Sequence, residues 1–102
     1  MKRLLALVVL AACAPVAPPP VTIGDADRAH VELAQLQEGR SLLVRKCGQS
    51  CHQTPMPSQH APGEWPAKLD EMSARAGLDY RQRALIEQYL VTMAALPAAA
   101  SR

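Results

Sequence analysis

Aromatic side chains are scarce in this chain of 102 residues, which has no Phe, one Trp and two Tyr. A folded part of about 70 residues rarely buries enough apolar surface to be stable without a cross-link, a metal or another bound group. The composition therefore favours a core that is completed by a bound group, since few large side chains are present to fill it.

Long apolar runs are also missing. The run at residues 4–12 has nine residues, too few to cross a bilayer, and it follows Lys2 and Arg3, which is typical of an export signal. It ends in Leu-Ala-Ala-Cys, which resembles the bacterial lipobox, where the chain is cut before the Cys and a lipid is attached to it. The sequence thus predicts a lipoprotein signal peptide at 1–12 and acylation of Cys13; the alternative is an ordinary signal peptide with an incidental Cys.

Without this leader the chain has no net charge, because the remaining nine Lys and Arg balance nine Asp and Glu. There is no basic patch that would favour nucleic acid, and no nucleotide-binding fingerprint, repeat or strong strand pattern. No substrate pocket or acid/base pair is evident, so we do not expect an enzyme. Four prolines follow the leader, and they predict an extended tether at 13–24 that holds the domain off a membrane surface.

The most informative stretch is Cys47-Gly48-Gln49-Ser50-Cys51-His52. In the related pattern C-x-x-C-H, each Cys sulfur binds haem covalently and the His becomes the proximal iron ligand. Here one more residue separates the two thiols, and a helical segment would place them on one face as i,i+4 neighbours. The pattern predicts one covalent haem c held by Cys47 and Cys51, with His52 on the iron.

Two other interpretations of these residues stay open at this point. Cys47 and Cys51 could form a disulfide, although its loop would be too small to stabilise the fold comparably. Together with His52 and His60 they could instead hold zinc. The corresponding alternative function is a haem-free lipoprotein that binds a metal or a protein partner.

Helical periodicity predicts three main helices. The first is capped by Asp25 or Asp27 and extends to about Lys46, the second covers about 65–76, and the third is capped by Asp79 and covers about 80–96. A loop rich in proline separates the first two, and Gly77 follows the second helix as a C-terminal stop.

The segment from Gly39 to Cys47 resembles the lead-in to the haem site of class I cytochromes c. In that family a Gly eight residues before the first Cys lies where the N-terminal helix crosses the C-terminal one; here Gly39 could equally mark a break between two short helices. The aromatic residue often found at the position of Leu43 is missing, which affects packing. The resemblance covers about residues 27–96 and implies an all-α, cytochrome c-like haem domain at 25–97, followed by a flexible tail at 98–102.

A second resemblance concerns Glu64-Trp65-Pro66 followed by Met72, which is similar to a short helix of small bacterial cytochromes c. In that group the Met supplies the second axial ligand, which implies this role for Met72; Met56, His60 or no protein ligand are the alternatives, and Met72 could simply be a core residue. The resemblance implies a lipid-anchored carrier of single electrons on the periplasmic side of a bacterial membrane, with redox proteins as partners.

Overall fold

The computed structural model describes residues 17–48 and 53–96, and in these residues every regular element is helical. The fold class is therefore all-α, as predicted. The described ranges contain four α-helices where three main helices were predicted: α1 (Ile23–Ala29), α2 (Leu33–Leu42), α3 (Trp65–Ala76) and α4 (Tyr80–Ala94). A π-helical turn, Leu43–Cys47, extends α2, and two short 3₁₀ turns, Pro57–Gln59 and Pro62–Glu64, precede α3.

The first predicted helix, from residue 25 or 27 to about 46, is wrong in its start and in its continuity. Thr22 caps α1, because its hydroxyl accepts from the backbone N–H of Asp25 while the Asp25 carboxylate accepts from the backbone N–H of Thr22. The helix then ends at His30, whose φ of 54° is left-handed. Near this end of α1, Arg28 donates to the backbone carbonyl of Thr92 in α4.

Helices α2 and α4 form the most extensive packing contact of the described chain, and they cross at Gly39. A Cβ built at Gly39 would overlap the backbone carbonyl oxygen of Leu85 and would lie 3.0 Å from the Cβ of Tyr89. Because α2 runs without interruption through this position, Gly39 serves close helix packing, and the alternative of a helix break is wrong.

The second and third predicted helices correspond to α3 and α4. Helix α3 ends at Gly77, which is left-handed with a φ of 64°, and Asp79 caps α4 by accepting from the backbone N–H of Gln82. Helix α4 ends at Ala94, two residues before the predicted limit. The end of α3 and the start of α4 were predictable because each is set by a local capping residue.

One apolar cluster lies between α2, α3 and α4. It has no exposed member and contains a thiol among its side chains: Leu42, Leu43, Cys47, Trp65, Leu69, Ile86, Tyr89, Leu90 and Met93. Met72 and several smaller side chains pack against it while remaining partly accessible. We refer to these nine residues as the core cluster.

The chain before α1 lies on the domain where the structure describes it. Pro18 is buried, and its carbonyl oxygen accepts from the guanidinium of Arg40. The predicted tether at 13–24 remains a prediction for residues 13–16, which lie outside the described residues, as do the predicted leader and tail. None of the helices in 17–48 and 53–96 is both long and apolar enough to cross a membrane.

Candidate functional site

Cys47 is the first residue of the predicted haem motif, and it is buried in the core cluster at the end of the π-helical turn. The turn is closed by the backbone N–H of Gly48, which lies 3.3 Å from the carbonyl oxygen of Leu43 and 3.1 Å from that of Val44. π-Helical turns are rare and are found frequently at functional sites. Cys47 is the last residue of this turn, and its side chain belongs to the core cluster.

Gly48 brings the chain that follows the motif back onto the motif's first turn. A Cβ at Gly48 would lie 2.5 Å from the carbonyl oxygen of Val44 and 2.6 Å from the hydroxyl oxygen of Thr54. Such distances are too short for any side chain without displacement of the backbone. The absence of a side chain at Gly48 thus permits the close approach of Thr54, a contact that sequence reasoning did not predict.

Cys51 and His52 lie outside the described residues, together with Gln49 and Ser50. Their predicted roles as second thioether and proximal iron ligand therefore stay predictions. The lipid acceptor Cys13 lies outside the described residues as well.

Met72 lies on the face of α3 that packs against the core cluster. Trp65 and Leu69 on the same face are buried, and Met72, one turn further on, is partly buried. The indole N–H of Trp65 donates to the carbonyl oxygen of Pro57 at 3.1 Å, which attaches α3 to the preceding loop. The predicted shared face of Trp65, Leu69 and Met72 is confirmed, whereas ligation by Met72 stays a prediction.

His60 and Met56, the alternative ligands of the iron, lie in the segment that precedes α3. His60 is partly buried, its Nδ1 lies 3.6 Å from a carboxylate oxygen of Glu64, and its ring meets the ring of Trp65 edge-on at 4.9 Å between centroids. Met56 directly precedes the first 3₁₀ turn, and its backbone N–H donates to the side chain of Gln59 at 3.3 Å. Both residues contribute to the structure of the loop that supports Trp65.

Within residues 17–48 and 53–96, no three His, Cys, Asp or Glu side chains come together in a way that could hold a metal ion. The predicted zinc set includes Cys51 and His52, which are not described, so this alternative is not tested. For haem, the described donors are chemically suitable: a thiol at Cys47 lies in an apolar cluster, and a thioether at Met72 packs against that same cluster. An apolar environment around both sulfurs fits an apolar macrocycle with soft ligands.

One more polar cluster joins the chain before α1 to the helix crossing. The phenol of Tyr89 donates to the carbonyl oxygen of Pro19 at 2.6 Å, and the guanidinium of Arg40 lies close to both. Burial raises the pKa of Tyr89 far above its usual range, even though the nearby charge of Arg40 acts in the opposite direction. The phenol is therefore a proton donor throughout the ordinary pH range.

Comparison with protein-family models, with curated proteins and with solved structures finds no match for this chain.

Proposed function

We propose that this protein is a membrane-anchored c-type cytochrome that carries single electrons between redox partners outside the cytoplasm. The observation that carries the proposal is the entry of Cys47, the first residue of a Cys-x-x-x-Cys-His motif, into the core cluster against which Met72 packs. A sulfur for covalent attachment and a sulfur for axial ligation therefore both border the same apolar region.

Each functional residue has one role in this proposal. Cys47 and Cys51 would hold the haem through thioethers, and His52 and Met72 would be the two protein ligands of its iron. When bound, the haem supplies reversible one-electron exchange at its iron. The chain sets the potential through the identity of the axial ligands and through burial, and a thioether ligand raises that potential compared with two imidazoles.

The crossing of α2 and α4 at Gly39 supports the same proposal. Gly39 stands eight residues before Cys47, and its position agrees with the crossing that the resemblance to class I cytochromes c implies. The small number of aromatic side chains also supports it, because a covalent haem would stabilise a domain that is too small to be stable through its side chains alone.

A π-helical turn lies directly in front of the motif and ends at its first Cys. In an ordinary α-helix the side chain of Cys47 would be rotated relative to its position after a π-helical turn, so the turn changes the direction from which the first sulfur approaches a ligand. Gly48 also lies in close contact with Thr54. Both features lie beside Cys47, whose thiol the proposal assigns to the haem.

The test is covalent haem content after expression with a haem-attachment system. We expect a Soret absorption that survives acid–acetone extraction. Cys47→Ala and Cys51→Ala should each leave a single thioether, and the double variant should retain no covalent haem. A control variant, His60→Gln, alters the alternative zinc site but should keep both thioethers. A colourless wild-type protein, expressed beside a c-type cytochrome that is loaded normally, would contradict the proposal.

A further inference from the structure

The segment at residues 18–22, called the strap below, is attached to the crossing of α2 and α4. Arg40 donates from Nε and Nη2 to the carbonyl oxygen of Pro18 at 3.0 and 2.9 Å, and Nε also lies 3.2 Å from that of Pro19. Tyr89 donates to the same Pro19 oxygen at 2.6 Å. Two side chains from two helices thus hold two consecutive carbonyl groups.

Other contacts also attach the strap to the domain. Pro18 is among the fully buried side chains of the described chain, Val21 packs against the core cluster, and Thr22 caps α1. The bonds from Arg40 are charge-assisted, and that from Tyr89 comes from a side chain in the core. Three consecutive prolines at 18–20 also limit the conformations available to a released strap, which lowers the entropy lost on attachment.

We propose that the strap shortens the connection to the lipid anchor and holds the haem domain at the membrane surface, with the crossing of α2 and α4 nearest the anchor. The inference rests on the proposed acylation of Cys13. A free tether from Cys13 to Gly24 would span up to about 38 Å at full extension. Because the chain is attached from Pro18 onward, only five residue steps remain, with a reach of about 17 Å.

The shorter connection limits how far the domain can move from the lipid surface. A domain on a long tether can meet proteins far from the membrane, whereas a domain within about 17 Å of the surface stays close to groups presented there. Redox proteins bound to the same membrane can therefore reach the domain.

The test uses the lipidated, haem-loaded full chain on vesicles of phosphatidylethanolamine and phosphatidylglycerol. A dye attached at exposed position 74 of α3 reports, by energy transfer to labelled lipid headgroups, the distance between the domain and the surface. The double variant Arg40→Gln/Tyr89→Phe removes the guanidinium and the phenol that donate to Pro18 and Pro19 in the described residues. We expect its mean distance to increase by as much as about 20 Å, the difference between the two reaches.

A matched control comes from the start of α4. Tyr80 and Arg81 begin α4 and are exposed, so Tyr80→Phe/Arg81→Gln makes the same chemical changes away from the strap and should leave the distance unchanged. Circular dichroism establishes that both double variants keep their helices. A second variant, with a flexible six-residue insertion between Val16 and Ala17, lengthens the connection without touching the strap and should also increase the distance.

The outcomes separate the inference from the proposed function. If the haem-loaded protein binds vesicles but its distance from the vesicle surface is the same with and without the insertion, the inference is wrong and the proposed function stands. A folded Arg40→Gln/Tyr89→Phe variant with the wild-type distance also overturns the inference. A haem-loaded protein that fails to carry lipid overturns the anchor and the strap's role together, while electron transfer by the haem domain stands.

Discussion

Replacing Gly39 by Ala tests whether the close approach of α2 and α4 organises this fold. The added methyl group would overlap the carbonyl oxygen of Leu85 and would lie 2.9 Å from its carbonyl carbon and 3.0 Å from the Cβ of Tyr89. Two of these atoms belong to the backbone of α4, so no side-chain rotation relieves the overlap. The helices have to separate.

The expected magnitude follows from two opposing contributions. Overpacking costs about 1–3 kcal/mol, and the upper part of this range applies because backbone atoms must move. Ala in place of Gly within a helix contributes about 1 kcal/mol in the other direction. We therefore expect Gly39→Ala to lower the free energy of unfolding by about 2 kcal/mol, which corresponds to a decrease in Tm of about 8–16 °C for a domain of this size.

The assay is urea unfolding followed by far-ultraviolet circular dichroism, with Gly24→Ala as the matched control. Gly24 is also helical, but a Cβ there would meet only the hydroxyl oxygen of Thr22, at an ordinary 3.6 Å. That variant should be as stable as the wild type or more stable. If Gly39→Ala matched Gly24→Ala in stability, the helices would not be in close contact at Gly39 and the reasoning would be refuted.

Two further predictions concern α1 and α3. Burial alone would raise the pKa of Asp25, but hydrogen bonds from Thr22 and Arg28 outweigh it and hold that pKa below its ordinary value. The carboxylate therefore stabilises the fold at pH values above its unfolded pKa of about 4, and this stabilisation is lost as the pH falls through the lowered pKa of the folded state. Asp25→Asn should lower the free energy of unfolding by about 1–2 kcal/mol at pH 7, and urea titrations should show that this difference shrinks in strong acid. An equal loss of stability at all pH values would show that the charge of Asp25 does not contribute. Met72→Ala should abolish the near-infrared sulfur-to-iron band and lower the potential if Met72 is a ligand. A band that persists, with a stability loss of about 2 kcal/mol, would make Met72 a core residue.

The parts of the fold that were predictable from sequence are those determined by neighbouring residues. Gly77 and Asp79 define the end of α3 and the start of α4 through local hydrogen bonds, and the apolar period of α3 gave its buried face. The break at His30 was not predictable, because a left-handed residue other than Gly has no clear sequence signal, and the accompanying contact of Arg28 with the carbonyl of Thr92 joins residues that are distant in sequence. Periodicity carries no information about such a contact.

The same distinction applies to the candidate site. Cys47 was identified by the spacing of its motif and Met72 by the resemblance to small bacterial cytochromes c, and the structure places Met72 against the apolar cluster that contains Cys47. The contribution of Gly48 was missed, because a Gly between Cys and Gln shows no pattern until Thr54 is seen beside it. The attachment of Pro18 was missed for a related reason. The composition of a proline-rich segment predicts an extended linker, and only the structure shows that Arg40 lies close enough to bind it.

The helix crossing connects the candidate site to the strap. Gly39 allows α4 to approach α2 so closely that Tyr89 of α4 and the adjacent Arg40 of α2 reach the same pair of carbonyl groups. Cys47 lies at the end of the π-helical turn that continues α2 from this crossing. Any change that separates the helices at Gly39 should therefore both displace Cys47 from the core cluster and weaken the bonds to the strap. Release of the strap and loss of haem attachment in Gly39→Ala would then have one structural cause, whereas Arg40→Gln/Tyr89→Phe should release the strap and leave haem attachment intact.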